Sequence, residues 1–147
     1  AYNVNFPHYS DGKMEAHFLS NEADFNRLVE MFKEDAEVDM IIGDEAYALK
    51  ETGKTVSRER LEQYKTLFDK TKVNHGIRRN QYTDPQEIIL VSTYYSSETD
   101  GNGQYQMSSK GFIYSPTEPA ETDGSSKYKK IKENWYLYYF EGTGKLE

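Results

Sequence analysis

The sequence predicts an α+β fold in which two N-terminal helices pack on an antiparallel, tyrosine-rich β-sheet of about four or five strands. One observation is that apolar residues in the first half of the chain recur at the three- and four-residue spacing of an amphipathic helix. Another is that from Val73 onward apolar residues recur at every second position, which is the period of a strand. Because the helices come first and the strands follow, the order favours an antiparallel sheet over parallel βαβ units.

Two segments of the first half carry the helical pattern. The first begins at the Ser20-Asn21 cap and extends to about Lys33, and the second begins at the Ser57 cap and extends to about Lys70. The residues between these segments fit either short helices or short strands. The apolar stripes are Phe25, Leu28, Val29 and Phe32 in the first segment and Leu61, Tyr64, Leu67 and Phe68 in the second.

The second half of the chain is predicted to be extended. The segment from Gln86 to Ser97 is apolar on both faces at its centre, which predicts a central strand covered on both sides. A short edge strand that Pro7 ends is expected near the N-terminus, and residues 142–144 are expected to form a mobile tail. The predicted strands are residues 73–79, 86–97, 104–115 and 128–140.

The composition fits a single domain spanning residues 1–147. Thirteen tyrosines and seven phenylalanines argue against disorder, because aromatic rings bury large areas per residue.

The net charge of −7 repels phosphate backbones, which disfavours nucleic acid as a partner. The lack of cysteine excludes disulfides, thiol nucleophiles and cysteine-ligated zinc. No apolar run reaches the roughly 20 residues that a transmembrane helix requires.

Two short motifs resemble ligand-binding loops, but neither has the expected structural context. Residues 48–55 fit a relaxed phosphate-binding loop, yet Glu51 places negative charge where phosphate would sit. Residues 98–103 match the first half of a calcium-binding loop, yet Ser109 stands where a bidentate glutamate is expected. The three histidines lack the spacing of a helical metal-binding pair. We therefore expect no metal and no cofactor.

Basic residues form two local groups. His75 lies beside Arg78 and Arg79, which leaves open either a cationic pocket for an anionic group or simple surface positions at the start of a strand. The four lysines between Lys127 and Lys132 form the second group, for which a solvated strand edge is the simpler interpretation.

The aromatic strands supply the best functional lead. Neighbouring rings in a strand point to opposite faces, so Trp135 and Tyr136 cannot both face one core. Rings left uncovered would form a recognition surface, whereas the alternative is that cross-strand aromatic ladders only stabilise the sheet. The predicted faces of the last strand are Trp135, Leu137 and Tyr139 on one side and Tyr136, Tyr138 and Phe140 on the other. The candidate partner- or ligand-binding residues are Tyr94, Tyr95, Tyr114, Trp135, Tyr136 and Tyr138.

The run Lys-Gly-Phe-Ile-Tyr-Ser at residues 110–115 and the run Asn-Trp-Tyr-Leu-Tyr-Tyr at residues 134–139 resemble segments of small bacterial exported or lipoprotein-like proteins of unassigned function. The resemblance covers the C-terminal third of the chain and identifies no site residues. It implies a periplasmic or cell-envelope location, with a lipid anchor upstream of Ala1, and a cytoplasmic location is the alternative.

The sequence therefore favours a non-enzymatic binding domain of the bacterial envelope, which recognises a protein or a small ligand through an aromatic sheet face. One alternative is an acidic inhibitor or immunity-type protein that blocks a basic partner through its charge. Another is a small hydrolase or isomerase with an unrecognised pocket in the concavity of the sheet. No Gly-x-Ser-x-Gly turn is present, and no catalytic residue is identified.

Overall fold

A computed structural model describes residues 6–42, 45–48, 55–80, 82–83, 86–98, 103–120 and 125–145. Within these ranges the chain forms three helices and seven strands. In chain order the elements are α1 (Asp11–Ser20), α2 (Glu22–Glu34), β1 (Val38–Ile42), β2 (Glu45–Ala48), α3 (Arg58–Thr71), β3 (Ile77–Asn80), β4 (Glu87–Glu98), β5 (Gln104–Tyr114), β6 (Ser126–Lys132) and β7 (Trp135–Lys145).

The seven described strands form one antiparallel sheet in the order β2-β1-β3-β4-β5-β7-β6. The predicted α+β fold, with N-terminal helices and an antiparallel sheet, is confirmed, and β4 is central as expected. The described sheet is larger than the predicted sheet of about four or five strands. The additional strands are β1 and β2 between α2 and α3, and β6, which the sequence pattern merged with β7.

The helices pack on one face of the sheet and form the main core with it. Phe25 of α2 is buried at this interface, where its ring centroid lies 4.7 Å from that of Phe112 on β5 and 6.0 Å from that of Trp135 on β7. Phe18 of α1 packs on the same tryptophan at 5.1 Å. Aromatic pairs at these separations stabilise the fold beyond the burial of their area. A part of the aromatic content of the strands therefore serves the core.

Helix α1 is not among the elements predicted from the sequence. Ser10 caps it, because its hydroxyl accepts a hydrogen bond from the Lys13 amide at 3.2 Å. Met14 and Phe18, one helical turn apart, are the residues that α1 buries, so its apolar stripe is too short to stand out in the pattern. Asn21 separates α1 from α2, and α2 confirms the first predicted helix.

The second predicted helix is confirmed as α3. The Ser57 hydroxyl caps it by accepting a hydrogen bond from the Arg60 amide at 3.1 Å. Arg60 Nε also donates to Asp35 Oδ2 at 2.9 Å, and the Tyr64 hydroxyl donates to the same oxygen at 2.6 Å. These bonds join α3 to the end of α2. Lys72 ends α3 in the left-handed conformation, with φ 59°.

The extent of the last predicted strand is wrong. The segment 128–140 belongs to a hairpin of β6 and β7, and the chain reverses at Asn134, which has a left-handed φ of 70°. Residues 142–144, predicted to be a mobile tail, belong to β7 and pair with β5. A side chain at Gly144 would place its Cβ 2.4 Å from the Tyr105 ring, so glycine leaves room there for an aromatic neighbour.

A β-bulge in β4 shapes the middle of the sheet. The register of β4 against β5 shifts between Val91 and Thr93, with Gly111 paired to Val91. A Cβ at Gly111 would lie 2.0 Å from the Leu90 carbonyl oxygen, so the two strands can approach this closely only at a glycine. The extra residue of the bulge is Ser92, which is buried.

Candidate functional site

We call the sheet face that points away from the helices the far face. It carries an apolar cluster of its own, formed by the buried residues Ile89, Val91, Ile113, Tyr136 and Tyr138. None of the described helices contributes to this cluster. The alternation predicted for the last strand is confirmed, because successive residues of β7 belong in turn to the main core and to this second cluster.

A groove of about 400 Å³ lies on the far face, and we call it the far-face groove. This volume falls within the range of about 300–1,000 Å³ that is typical of ligand sites. Strands β1, β3, β4, β5 and β7 all contribute lining residues, so the groove exists only once the sheet is assembled. The lining side chains that matter most are Met40, Ile42, Arg78, Tyr94, Met107 and Phe140.

Gly76 fixes the backbone on one side of the groove. It has a left-handed φ of 93°, and a Cβ there would lie 2.0 Å from the Ile41 carbonyl oxygen. The turn that contains Gly76 is also bonded to β4, since the His75 amide donates to the Val91 carbonyl at 3.0 Å and the Val91 amide donates to the Gly76 carbonyl at 2.9 Å. The groove is therefore bounded here by hydrogen-bonded backbone rather than by a free loop.

Large apolar side chains reach solvent in the groove. Tyr94 and Ile42 are each 42% exposed, and Phe140 is 36% exposed. Grouped exposed apolar residues mark interaction sites more often than scattered ones do. Met40 and Met107 add flexible thioether side chains, which adapt to partners of different shape.

The charge of the groove is positive. Arg78 projects on the far face, beside Met40 and opposite Ile89, and the His75 ring lies 6.3 Å from the Tyr94 ring. No Asp or Glu is among the described lining residues, and Arg78 forms no ion pair with a described carboxylate. In a chain of net charge −7, such a groove favours a ligand with an acidic group.

The basic group at residues 75–79 is divided between the two faces of the sheet. His75 and Arg78 line the groove, whereas Arg79 points toward the helices. The Arg79 guanidinium donates to the carbonyl oxygens of Phe32 at 2.5 Å, Asp35 at 2.8 Å and Val38 at 2.9 Å. Arg79 therefore joins α2 to the sheet and is not among the described lining residues of the groove.

The six candidate aromatic residues are also divided between the faces. Tyr94 lines the groove, while the rings of Tyr136 and Tyr138 are each only 6% exposed. The far face holds Tyr94, Tyr136 and Tyr138, and the helix side holds Tyr95, Tyr114 and Trp135. The structure thus places three of the six candidate residues on the far face. Of these three, Tyr94 is the one that is open to a partner.

The three rings on the helix side hold neighbouring segments onto the sheet. The Tyr95 hydroxyl donates to the Pro7 carbonyl at 3.2 Å, ahead of α1. The Lys33 ammonium lies 4.5 Å from the centroid of the Tyr114 ring, a cation–π contact with α2. The indole N–H of Trp135 donates to an α2 side chain at 3.2 Å. None of these three residues lines the groove.

Tyr138 is connected to the groove through its hydroxyl. This hydroxyl lies 2.7 Å from Ser109 Oγ, and Ser109 lines the groove. Burial raises the pKa of Tyr138 to about 12, so the phenol stays neutral at physiological pH. Tyr138 therefore supports the groove from the buried cluster.

Most of the groove residues are absent from the candidate set, and among them are the large apolar side chains of Met40, Ile42, Met107 and Phe140. A signal existed for Phe140, because the predicted alternation places it on the same face as Tyr136 and Tyr138. No comparable signal existed for Met40 and Ile42, which lie in the segment that fitted either helix or strand.

A serine and a histidine meet on the helix side, but the arrangement does not support nucleophilic catalysis. His8 Nε2 lies 2.5 Å from Ser108 Oγ, and His8 Nδ1 lies 2.5 Å from Thr93 Oγ1. Both ring nitrogens are engaged and Ser108 is fully buried, so the pair offers neither a free base nor an accessible nucleophile. Burial, with a further contribution from the Lys110 charge, lowers the pKa of His8. The cluster fastens the segment before α1 to β4 and β5.

The two loop-like motifs, at residues 48–55 and 98–103, lie mostly outside the described residues. In the part of the chain that the structure describes, no group of three or more His, Cys, Asp or Glu side chains is placed to hold a metal ion.

The lysine group lies on β6, at one edge of the described sheet. Lys129 Nζ donates to Glu15 of α1 at 3.0 Å, and Lys132 Nζ donates to Glu22 of α2. The interpretation of this group as a strand edge is confirmed, and two of its members also connect the edge to the helices.

Comparisons of the chain with protein-family models, with curated proteins and with solved structures found no match. None of the described helices has the length and apolar character needed to cross a membrane. Function is therefore inferred from the geometry of the groove.

Proposed function

We propose that this chain is a non-enzymatic binding domain that holds a short segment of a partner protein in the far-face groove. The segment presents a bulky apolar side chain next to an acidic one. The observation that carries the proposal is that Ile42, Tyr94 and Phe140, all exposed, line one groove together with Arg78 and with no carboxylate among its described lining.

The residue types of the groove support a protein partner. Tyrosine, phenylalanine, methionine and arginine are enriched in protein–protein interfaces relative to the remaining surface. Rigid rings such as those of Tyr94 and Phe140 supply contact area at low entropic cost, and the two methionines fill the gaps between partner side chains. An apolar side chain of the partner would therefore displace water from rings that are now partly exposed.

The charge of the groove supports an acidic residue in the partner. A guanidinium can donate two parallel hydrogen bonds to a carboxylate, which gives orientation as well as affinity. Arg78 is available for this contact because it forms no ion pair within the described ranges. The apolar anchor and the acidic residue would then fix the direction in which the segment lies.

Selection of peptides from a random displayed library on the purified domain tests this function. We expect the selected peptides to combine a bulky apolar residue with a neighbouring Asp or Glu. Tyr94→Ser should weaken their binding by about tenfold or more, as measured by fluorescence anisotropy. Tyr82→Ser is the matched control, because Tyr82 is 98% exposed and lies outside the groove lining.

The charge requirement is tested separately. Arg78→Glu should weaken the binding of acidic peptides by about tenfold and shift the selection toward basic peptides. Arg58→Glu makes the same change of charge at the start of α3, outside the groove, and should leave binding nearly unchanged. Peptides that bind Tyr94→Ser as tightly as the wild type, or a selection without any sequence preference, would overturn the proposed function.

A further inference from the structure

A second cavity, of about 220 Å³, lies on the helix side of the sheet and shares no lining residue with the far-face groove. We call it the helix-side pocket. It forms where the segment before α1, helix α1 and the end of α3 meet β4 and β5. The lining residues that carry the argument are Tyr9, Lys13, Met14, Lys72, Ser92 and Phe112.

A serine side chain from the bulge in β4 lines the pocket. Ser92 is only 2% exposed, and within the described residues no buried side-chain oxygen or nitrogen is left without a hydrogen-bond partner. A β-bulge can direct two successive side chains to the same face of a sheet. Here Thr93 finds its partner in His8, whereas Ser92 lines the pocket. The Ser92 hydroxyl can therefore form a hydrogen bond to a molecule in the pocket.

Two ammonium groups lie at the pocket. Lys13 Nζ is 5.0 Å and Lys72 Nζ is 5.9 Å from the centroid of the Tyr9 ring. Neither lysine forms an ion pair with a described carboxylate, and no Asp or Glu is among the described lining residues. The two lysines therefore concentrate positive charge beside one ring, in a chain whose net charge is −7.

The backbone fixes the positions from which these lysines extend. Lys13 lies in the first turn of α1, and its amide is bonded to the Ser10 cap. Lys72 is the residue at which α3 ends, and its left-handed conformation directs the chain away from the helix axis. The rim of the pocket is thus built from two capped helix ends.

Part of the pocket wall is apolar, and the volume of the pocket limits the size of the ligand. Met14 and Phe112 are buried side chains that line it. An apolar cavity of about 150 Å³ holds a benzene molecule. A volume of about 220 Å³ therefore has room for a single ring that bears a carboxylate.

We propose that the helix-side pocket binds a small aromatic carboxylic acid. The carboxylate is held by Lys13 and Lys72, the ring packs on Met14 and Phe112, and a polar substituent on the ring reaches Ser92. This site goes beyond the proposed groove, because its ligand is a small molecule and its position is on the opposite side of the sheet.

Titration of the domain with benzoate, 4-hydroxybenzoate and the neutral 4-hydroxybenzamide tests the proposal. Calorimetry should show saturable binding of both acids and at least about tenfold weaker binding of the amide, because the amide cannot pair with the ammonium groups. Amide resonances of Tyr9, Ser92 and Phe112 should shift in NMR spectra of the complex. Those of Tyr94 and Phe140 in the far-face groove should not.

Three variants separate the contributions. The double variant Lys13→Met/Lys72→Met should weaken acid binding by about tenfold or more. The control double variant Lys33→Met/Lys130→Met removes the same amount of charge elsewhere, and it should change acid binding by less than about twofold. Ser92→Ala should weaken the binding of 4-hydroxybenzoate more than the binding of benzoate. It should change the melting temperature little, because the substitution removes one hydroxyl and leaves the apolar contacts of the core in place.

Several outcomes would overturn the proposal. In calorimetry, these are a lack of saturable binding of both acids at millimolar concentration, or an affinity for the amide equal to that for the acids. In the variants, the outcome is an equal loss of acid affinity in the two double variants. In NMR, it is resonance shifts confined to the far-face groove. Since the variants at the pocket leave Tyr94 and Arg78 intact, these outcomes leave the test of peptide binding in the groove unaffected.

Discussion

Tyr94 and Tyr138 illustrate how two rings on the same sheet face acquire different roles. Tyr94 follows the bulge in β4 and keeps 42% of its surface exposed. Tyr138 lies in β7 between two neighbouring strands, and both its ring and its hydroxyl are covered. Residue type and strand period are the same for both rings. Strand β3 pairs with β4 only as far as Leu90, so among the described strands Tyr94 has a neighbour on one side only and its ring can meet a partner.

The difference in burial predicts a difference in stability. Tyr138→Ser should lower the free energy of unfolding by about 3–5 kcal/mol, because it removes a buried ring and leaves a cavity. Tyr94→Ser should lower it by less than about 1 kcal/mol, since the ring is partly in water already. Urea unfolding followed by circular dichroism measures both values. Equal losses in the two variants would contradict the assigned roles.

At the scale of elements, the pairing of β4 with β5 depends on one glycine. Gly111 stands where the Leu90 carbonyl approaches from β4, and a Cβ there would lie 2.0 Å from that oxygen. The Tyr138 ring closes the other side, with its nearest carbon 2.9 Å from the same hypothetical Cβ. The backbone oxygen cannot move without breaking the ladder of the central strands.

Gly111→Ala is therefore expected to destabilise the domain by more than about 3 kcal/mol, or to prevent folding. Gly12→Ala is the control, because a Cβ at that position in α1 would meet no atom within 4 Å. It should be neutral or slightly stabilising, since alanine favours a helix more than glycine does. Thermal unfolding compares the two variants. A melting temperature of Gly111→Ala close to that of the wild type would show that the strands separate easily.

Elements with a strong local signal could be predicted from the sequence, and others could not. Helices α2 and α3 have complete apolar stripes, Ser57 caps α3, and the central strand β4 is rich in β-branched, apolar and aromatic residues. Helix α1 has only two buried residues, and the β6–β7 turn depends on a single left-handed residue, Asn134. Tyr94 could be proposed from alternation alone. The rest of the groove could not, because it forms between strands that are distant in sequence.

At the scale of the whole molecule, His8 joins the beginning of the described chain to the middle of the sheet. Its hydrogen-bond partners, Thr93 and Ser108, are 85 and 100 positions away. Its ring also makes edge-to-face contacts with Tyr95 and Tyr139. Protonation of His8 would place a second positive charge near Lys110 in a partly buried site. We therefore expect the attachment of the N-terminal segment to depend on pH.

The sign of this dependence follows from the lowered pKa of His8. An unfolded histidine titrates near pH 6.5, so below that value the unfolded chain takes up a proton that the native state resists. The contribution of His8 to stability is complete above about pH 6.5 and is lost as the pH falls through the lowered native pKa. We expect the free energy of unfolding to decrease as the pH falls below about 6.5.

Denaturant titrations across that range check the expectation. The dependence on pH should be smaller in His8→Gln, where the titrating ring is gone. It should persist in His75→Gln, because His75 is exposed and makes no contact with this cluster. An identical pH profile for the wild type and His8→Gln would contradict the role of His8.

The lysine-bearing edge at β6 has a consequence for how the domain behaves at high concentration. Lys127 and Lys130 point into solvent, while Lys129 and Lys132 are directed to glutamates of the helices. A second copy that approached with the same edge would bring its own ammonium groups, those of Lys127 and Lys130 above all, close to the first set, and like charges repel each other. We therefore expect the β6 edge to disfavour edge-to-edge association of copies, even though the far face exposes aromatic rings.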